Sequence, residues 1–162
     1  MRITAGIFLI RRDGKLLIGH PTKDFSGGKW SITKGGLEEN ETPLQAALRE
    51  TEEEANIFLK NWQILHNLKP VEYIKGKKVL HGFVMFEDQN EINFDDFDIK
   101  CTSMVPNKNW YEMDNFMYAT LDEAAGLLHE AQVVCLEEIK LIIENLNKFK
   151  SIIENLNKFK SI

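Results

Sequence analysis

The run Arg49-Glu50-Thr51-Glu52-Glu53-Glu54 constrains this chain more than any other stretch. On an α-helix, Glu50, Glu53 and Glu54 stand at i, i+3 and i+4, which are neighbours on one face. Like charges so spaced repel, and a helix carrying them loses stability unless a cation offsets them. A hard divalent cation does this economically, because Mg²⁺ takes oxygen ligands and bridges carboxylates to phosphates. Most glutamate runs are merely solvated helix faces. What surrounds this one decides between the two readings.

The residues on either side delimit a helix. Thr42-Pro43-x-Gln45 is a start signal: Thr42 caps, Pro43 suits the first helical position, and Gln45 completes a capping box. The helix is expected to run to about Ala55, with Leu44, Ala47, Leu48 and Thr51 on its buried side. Thr51 then faces a sheet, its hydroxyl bonding back to a carbonyl one turn earlier. Asn56 follows where a left-handed residue ends the helix, and Asn tolerates that conformation best after Gly. Arg49 is a partner for Glu41 or Glu52. Upstream, Gly35-Gly36 permits close backbone approach, so carbonyls near Lys34 or Gly35 can face a metal.

At 162 residues, with 43% apolar and 28% charged content, the chain reads as an ordinary soluble globular domain. No apolar run reaches membrane-spanning length, and the N-terminus lacks the order of a signal peptide. Cys101 and Cys135 have no metal spacing and are expected as free thiols in a reducing cytoplasm. A net charge of −5 argues against broad nucleic-acid binding. Seven of the 25 acidic residues and one of the 20 basic ones lie in residues 35–57, so the remainder is marginally basic. That balance leaves Lys and Arg for phosphates beside an acidic metal site.

Along the chain, residues 2–11 read as a strand buried on both faces, Asp13-Gly14 as a turn, and 15–20 as the returning strand. Residues 21–29 read as a loop and Trp30-Ser31-Ile32 as a short strand. Residues 58–67 and 71–87 are expected as two further strands, joined and turned through Pro70 and Lys75-Gly76, with 79–86 a central strand and His81 a structural residue inside it. Residues 88–108 form a long polar segment of the kind that is functional or mobile. A strand through Phe116–Thr120 leads into a second capping box, Thr120-x-x-Glu123, and a helix through Leu128. A last helix starts near Glu130 and carries Val133, Leu136, Ile139, Ile143 and Leu146 at helical spacing. Residues 142–151, IIENLNKFKS, recur identically as 152–161. A single duplication is no solenoid, and the second copy extends the helix. One domain over residues 1–145 is expected, followed by a C-terminal helix over 142–162 that contains the repeat.

The spacing Gly35-x5-Glu41-x7-Arg49-Glu50, continued by Glu53, Glu54 and Ile57, resembles the Nudix box. Thr51 replaces an apolar residue of that box and Asn56 its last glycine; neither change removes a ligand. The stretch from Glu112 to Ile139 is similar to the tail of small Nudix hydrolases, so the likeness covers roughly residues 2–145. It implies an α+β fold, an α/β/α sandwich around a mixed central β-sheet. It also implies hydrolysis of a nucleoside diphosphate linked to another moiety, with Mg²⁺ or Mn²⁺ as cofactor.

The resemblance implies Glu50, Glu53 and Glu54 as metal ligands, with the Gly35 carbonyl beside them. Arg49 orients a box glutamate, and Glu53 and Glu112 act in catalysis. As the general base Glu112 has Asp114 and Glu91 as rivals. Trp30-Ser31-Ile32-Thr33-Lys34-Gly35 is similar to the segment leading into the box of diadenosine polyphosphate hydrolases. Lys34 there suits a polyphosphate and Tyr73 a stacked base, although a core position suits Tyr73 equally. The expected substrate is a small nucleotide, first a dinucleoside polyphosphate. ADP-ribose, an RNA 5′ end, and a nucleotide-sensing module without catalysis are the alternatives, and a homodimer is open.

Overall fold

Alternation along β1 (Arg2–Ile10) divides the core in two. Phe8 and Ile10 pack into one buried cluster, Ala5, Ile7 and Leu9 into another. This is what the pleat imposes on a strand covered on both faces. In the computed structural model, residues 1–160 are described, the side chains of Asp24, Phe25 and Ser26 excepted.

β1 turns at Gly14 into β2 (Leu16–Pro21), and β3 (Thr33–Gly36) joins β1 antiparallel over Thr4–Ile7. β6 (Lys78–Phe86) lies parallel to β1 along its whole length, from Arg2 opposite Lys78 to Ile10 opposite Phe86. β4 (His66–Asn67) and β5 (Val71–Ile74) pair antiparallel with β6, and β7 (Met113–Ala119) with β2. The main path is β4-β6-β1-β2-β7, a mixed sheet. α1 (Pro43–Ala55) covers one face, while α2 (Leu121–Ala125) and α3 (Glu130–Lys160) cover the other. The expected α/β/α sandwich is thus the fold.

α1 begins and ends as its residues dictate. The Thr42 hydroxyl accepts the Gln45 N–H at 3.2 Å, and the Gln45 side chain accepts the Thr42 N–H at 2.9 Å. Asn56 ends the helix in the left-handed conformation, φ 58° and ψ 34°. The Thr51 hydroxyl donates to the Ala47 carbonyl at 2.8 Å and meets the Thr33 hydroxyl at 2.7 Å, so a buried polar group is satisfied within the core.

Four expectations need correction. The helix expected through Leu128 ends at Ala125. Only His66–Asn67 of the strand expected over 58–67 is strand. The Lys60 N–H bonds the Gln63 side chain at 2.8 Å in a tight turn, and Phe58, Trp62 and Leu65 face solvent. Trp30 and Ser31 make single bridges, to Leu128 and Gly19, and the strand proper begins at Thr33. Residues 22–28, expected as loop, wind into a 3₁₀ turn.

The segment over 88–108 is tied down on α1. The backbone N–H groups of Lys100 and Thr102 bond the Ala55 and Glu53 carbonyls at 3.3 and 2.7 Å, and Asn56 Nδ2 bonds the Asp98 carbonyl at 2.9 Å. These bonds satisfy carbonyls that a helix end leaves open. Both cysteines are free and buried. No helix among the described residues is long and apolar enough to cross a membrane. α3 runs through the first decapeptide copy and on into the second; Ser161 and Ile162 lie outside the described residues.

Candidate active site

β3 and α1 bring their functional residues together because Gly35 has no side chain. A Cβ there would lie 2.0 Å from Glu50 Oε1 and 2.1 Å from its carboxyl carbon. The backbone at Gly35 therefore packs directly on that carboxylate. Next to it, the Lys34 N–H donates to Glu54 Oε1 at 2.7 Å. Glu54 is 3% exposed. Burial first, and then the neighbouring Glu50, push its pKa well above the ordinary carboxylate range. Burial also raises that of Glu50, with Arg49 opposing.

Arg49 knits the cluster together. Its Nε and Nη2 donate to the two oxygens of Glu41 at 2.8 and 3.0 Å. Its Nη1 reaches Glu50 at 2.8 Å and Glu53 at 3.3 Å, and Nη2 also bonds the Gly36 carbonyl at 2.9 Å. Arg49 thus touches Glu41, as expected, and bonds Glu50 and Glu53 in place of Glu52. The bond to Arg49 holds the Glu41 carboxyl below its usual range.

The tethered loop completes the site. Ser103 Oγ donates to Glu112 at 3.0 Å, and the Glu112 N–H bonds the Ser103 carbonyl at 2.9 Å. Glu112 lines a cavity of 290 Å³ with Glu54, Lys29, Lys34 and His129. Its rivals stand elsewhere. Asp114 is bonded to His20 at 2.7 Å, and Glu91 is exposed and lines neither this cavity nor the one beside it. That second cavity, of 360 Å³, is lined by Lys34, Tyr73, Lys78, His129 and Gln132. The Tyr73 hydroxyl bonds the Thr4 hydroxyl at 3.0 Å, and Lys78 Nζ lies 6.0 Å from the Tyr73 ring centre. Lys34 and Tyr73, 39 residues apart in the chain, share a wall.

All candidate metal donors are oxygens, the chemistry a hard divalent ion takes. Glu50 on the Gly35 backbone and Glu54 on the Lys34 N–H are carboxylates that fit such an ion. Among the described residues, no three His, Cys, Asp or Glu side chains converge closely enough to hold one as they stand. Arg49 holds one carboxylate oxygen of each of Glu50 and Glu53, which leaves the other oxygen of each without a bond to Arg49.

His129, Lys78, Lys29 and Ser103 escaped the sequence reading, since each is a lone residue without spacing to a motif. Gln132 left a faint signal as the glutamine opening the last helix. It is buried, accepts the Ile32 N–H at 3.0 Å and donates to Ser31 Oγ at 3.0 Å, fixing the segment that leads to Lys34.

The carboxylate-bearing helix thus lies beside a groove lined by Lys29, Lys34 and Lys78. The model of the NUDIX domain matches residues 1–132, and the chain belongs to the Nudix hydrolase family. Members of that family act on phosphoanhydride bonds and generally use divalent metal ions. An RNA pyrophosphohydrolase of Gluconobacter oxydans (strain 621H) is 51% identical over 64 residues, 40% of this chain and 36% of that protein. The 8-oxo-dGTP diphosphatase of Proteus vulgaris is 33% identical over 92 residues, 57% of this chain and 81% of that one. The chain spans between 32% and 39% of the length of the RNA pyrophosphohydrolases it matches. A C. elegans Ap4A hydrolase structure superposes with a TM-score of 0.66 at 20% identity, covering 90% of this chain and 99% of that one. At that identity the likeness is one of fold.

Proposed function

We propose that this chain is a metal-dependent pyrophosphohydrolase that cleaves a nucleoside diphosphate linked to another moiety, with a dinucleoside polyphosphate as substrate. The observation that carries this reading is the shared wall. Lys34 lines both the cavity that holds Glu54 and Glu112 and the cavity that holds Tyr73. A phosphate chain laid along Lys34 puts one nucleoside beside the tyrosine ring, which stacks on a base.

Glu50, Glu53 and Glu54, with the Gly35 carbonyl, would hold Mg²⁺ or Mn²⁺. When bound, the ion neutralises phosphate oxygens and lowers the pKa of water. Arg49 positions Glu50 and Glu53 from behind. Glu112, held by Ser103, takes the proton of the attacking water. The Lys34 ammonium stabilises charge that builds on the phosphates. A cytoplasmic setting suits the two free thiols.

The test is product release from diadenosine tetraphosphate, ADP-ribose, nucleoside triphosphates and 5′-triphosphate RNA with Mg²⁺ or Mn²⁺, using Glu53→Gln as control. Fastest cleavage of the dinucleotide, lost in Glu53→Gln and slowed in Tyr73→Ala, supports the reading. The 51% identity over 64 residues to an RNA pyrophosphohydrolase favours the RNA 5′ end as the second reading, and preference for the RNA would establish it. Binding without cleavage across the panel would make the chain a nucleotide sensor.

A further inference from the structure

We propose that the His129 imidazole, with the Lys34 ammonium, forms a phosphate-chain subsite at the passage between the two cavities. This subsite favours substrates with long phosphate chains over those with short ones. The inference rests on the reading of the groove as a pyrophosphohydrolase site and adds a residue to it.

Position is the first argument. Among the described residues, Lys34 and His129 alone line both cavities. A phosphate chain laid from Glu54 and Glu112 towards Tyr73 therefore meets both residues.

Rigidity is the second. The His129 carbonyl accepts the N–H groups of Gln132 and Val133, each at 3.0 Å, so His129 opens α3. The segment before β3 clamps this corner, with the Trp30 N–H on the Leu127 carbonyl at 3.0 Å and Gln132 on Ile32 and Ser31. The backbone that carries the ring is thus fixed before binding, so only its side-chain torsions remain to be ordered, which favours affinity.

Chemistry is the third. The imidazole is half-buried and has no hydrogen-bond partner among the described residues. A half-buried donor beside a cavity and without an acceptor suits a ligand that brings one. Burial first, then Lys34 and Lys29, hold its pKa below the ordinary histidine value, which favours the neutral ring. A neutral ring offers an N–H to a phosphate oxygen without adding a third positive charge beside two lysines. Glu54, Glu112, Tyr73 and Lys78 are the other ionisable groups on these walls. The carboxylates occupy one end, which leaves the middle of the passage to donors.

The experiment compares wild type, His129→Ala and His129→Gln. Calorimetry measures the binding of inorganic tripolyphosphate, and steady-state kinetics use diadenosine tetraphosphate and ADP-ribose. The Ala variant is expected to bind tripolyphosphate about tenfold more weakly, the loss of one good hydrogen bond. KM for the tetraphosphate is expected to rise with kcat nearly unchanged, while ADP-ribose kinetics stay put. His129→Gln, which keeps an N–H donor, is expected to recover most of the loss. Unchanged tripolyphosphate affinity in the Ala variant, or an equal effect on both substrates, overturns the proposal. Should the Ala variant fail to fold, the His129 C2–H resonance decides, assigned among the four histidines through His129→Gln. It shifts when tripolyphosphate is added, or the subsite does not exist. If wild type cleaves nothing, the hydrolase reading falls, yet tripolyphosphate binding still tests His129 separately.

Discussion

Arg49 grips Glu41 with a two-pronged fork, Nε on one carboxylate oxygen at 2.8 Å and Nη2 on the other at 3.0 Å. A third nitrogen of the same guanidinium reaches Glu50 and Glu53. Lysine keeps the charge but has a single ammonium, so it cannot span these acceptors. Arg49→Lys is therefore expected to cost about 1–3 kcal/mol of stability, the value of charge-assisted bonds lost from a half-buried network. Activity should fall more steeply, because Glu50 and Glu53 lose their common anchor. Thermal melting and kcat/KM together decide; a lower melting point with intact kcat would make Arg49 structural only.

Glu54 gives a pH prediction whose sign can be worked out. Burial and Glu50 raise its pKa in the folded protein, so the native state holds that proton more tightly than the unfolded chain. The resulting stability is complete below the ordinary glutamate value of about 4.3 and drains away as pH rises through the raised folded value. Glu54→Gln keeps an oxygen for the Lys34 N–H and removes the charge. In EDTA the variant is expected to melt above wild type at neutral pH, the gap closing below about pH 4.3. Added Mg²⁺ should raise the wild-type melting point and leave the variant nearly unmoved. A variant that melts below wild type at neutral pH in EDTA would refute the account.

Much of this site could be read before any coordinates, because its residues are tied by fixed spacing. The helix that carries Glu50, Glu53 and Glu54 has a start signal at Thr42 and an end signal at Asn56, and both act as their chemistry demands. Thr51, an odd residue for a buried face, finds Thr33 and the Ala47 carbonyl as partners. Residues 58–65 misled for an opposite reason. They are rich in apolar side chains, yet a local turn at Lys60–Gln63 outcompetes pairing and leaves Phe58 and Trp62 at 65% and 71% exposure. His129 was invisible because it reaches the groove through the packing of α3 on the segment before β3, a tertiary relation without local signature.

Gly35 separates local geometry from folding. Alanine there would place its Cβ within 2.0 Å of Glu50 Oε1. The carboxylate is the far end of a flexible side chain, so it can swing away and the fold survives. It can do so only by leaving Arg49. Gly35→Ala is expected to lose about 1 kcal/mol, within the usual range for a point substitution, while activity drops by far more. The checks are a melting curve and metal-dependent turnover on the same sample. Full activity in the alanine variant would mean that the position of Glu50 is immaterial.

The duplicated decapeptide makes a last, two-sided prediction. In the first copy Ile142, Ile143 and Leu146 pack against the core, and Lys150 reaches Asp88 at 3.3 Å. The equivalent Ile152, Ile153 and Leu156 of the second copy are 56%, 41% and 56% exposed, and Phe159 is 77% exposed. A chain stopped after Ser151 therefore forfeits little burial, and its stability is expected within about 0.5 kcal/mol of the full chain, as for changes at exposed positions. A chain stopped before Ile142 loses three partly buried apolar side chains, each worth up to about 1.5–3 kcal/mol when wholly buried. It is expected to melt far lower. Light scattering on the longer pair tests the remaining use of the tail. Self-association of the full chain that vanishes on removal of the second copy would assign that copy to a homodimer. Equal mass per particle in both would leave it a helical extension with no partner in solution.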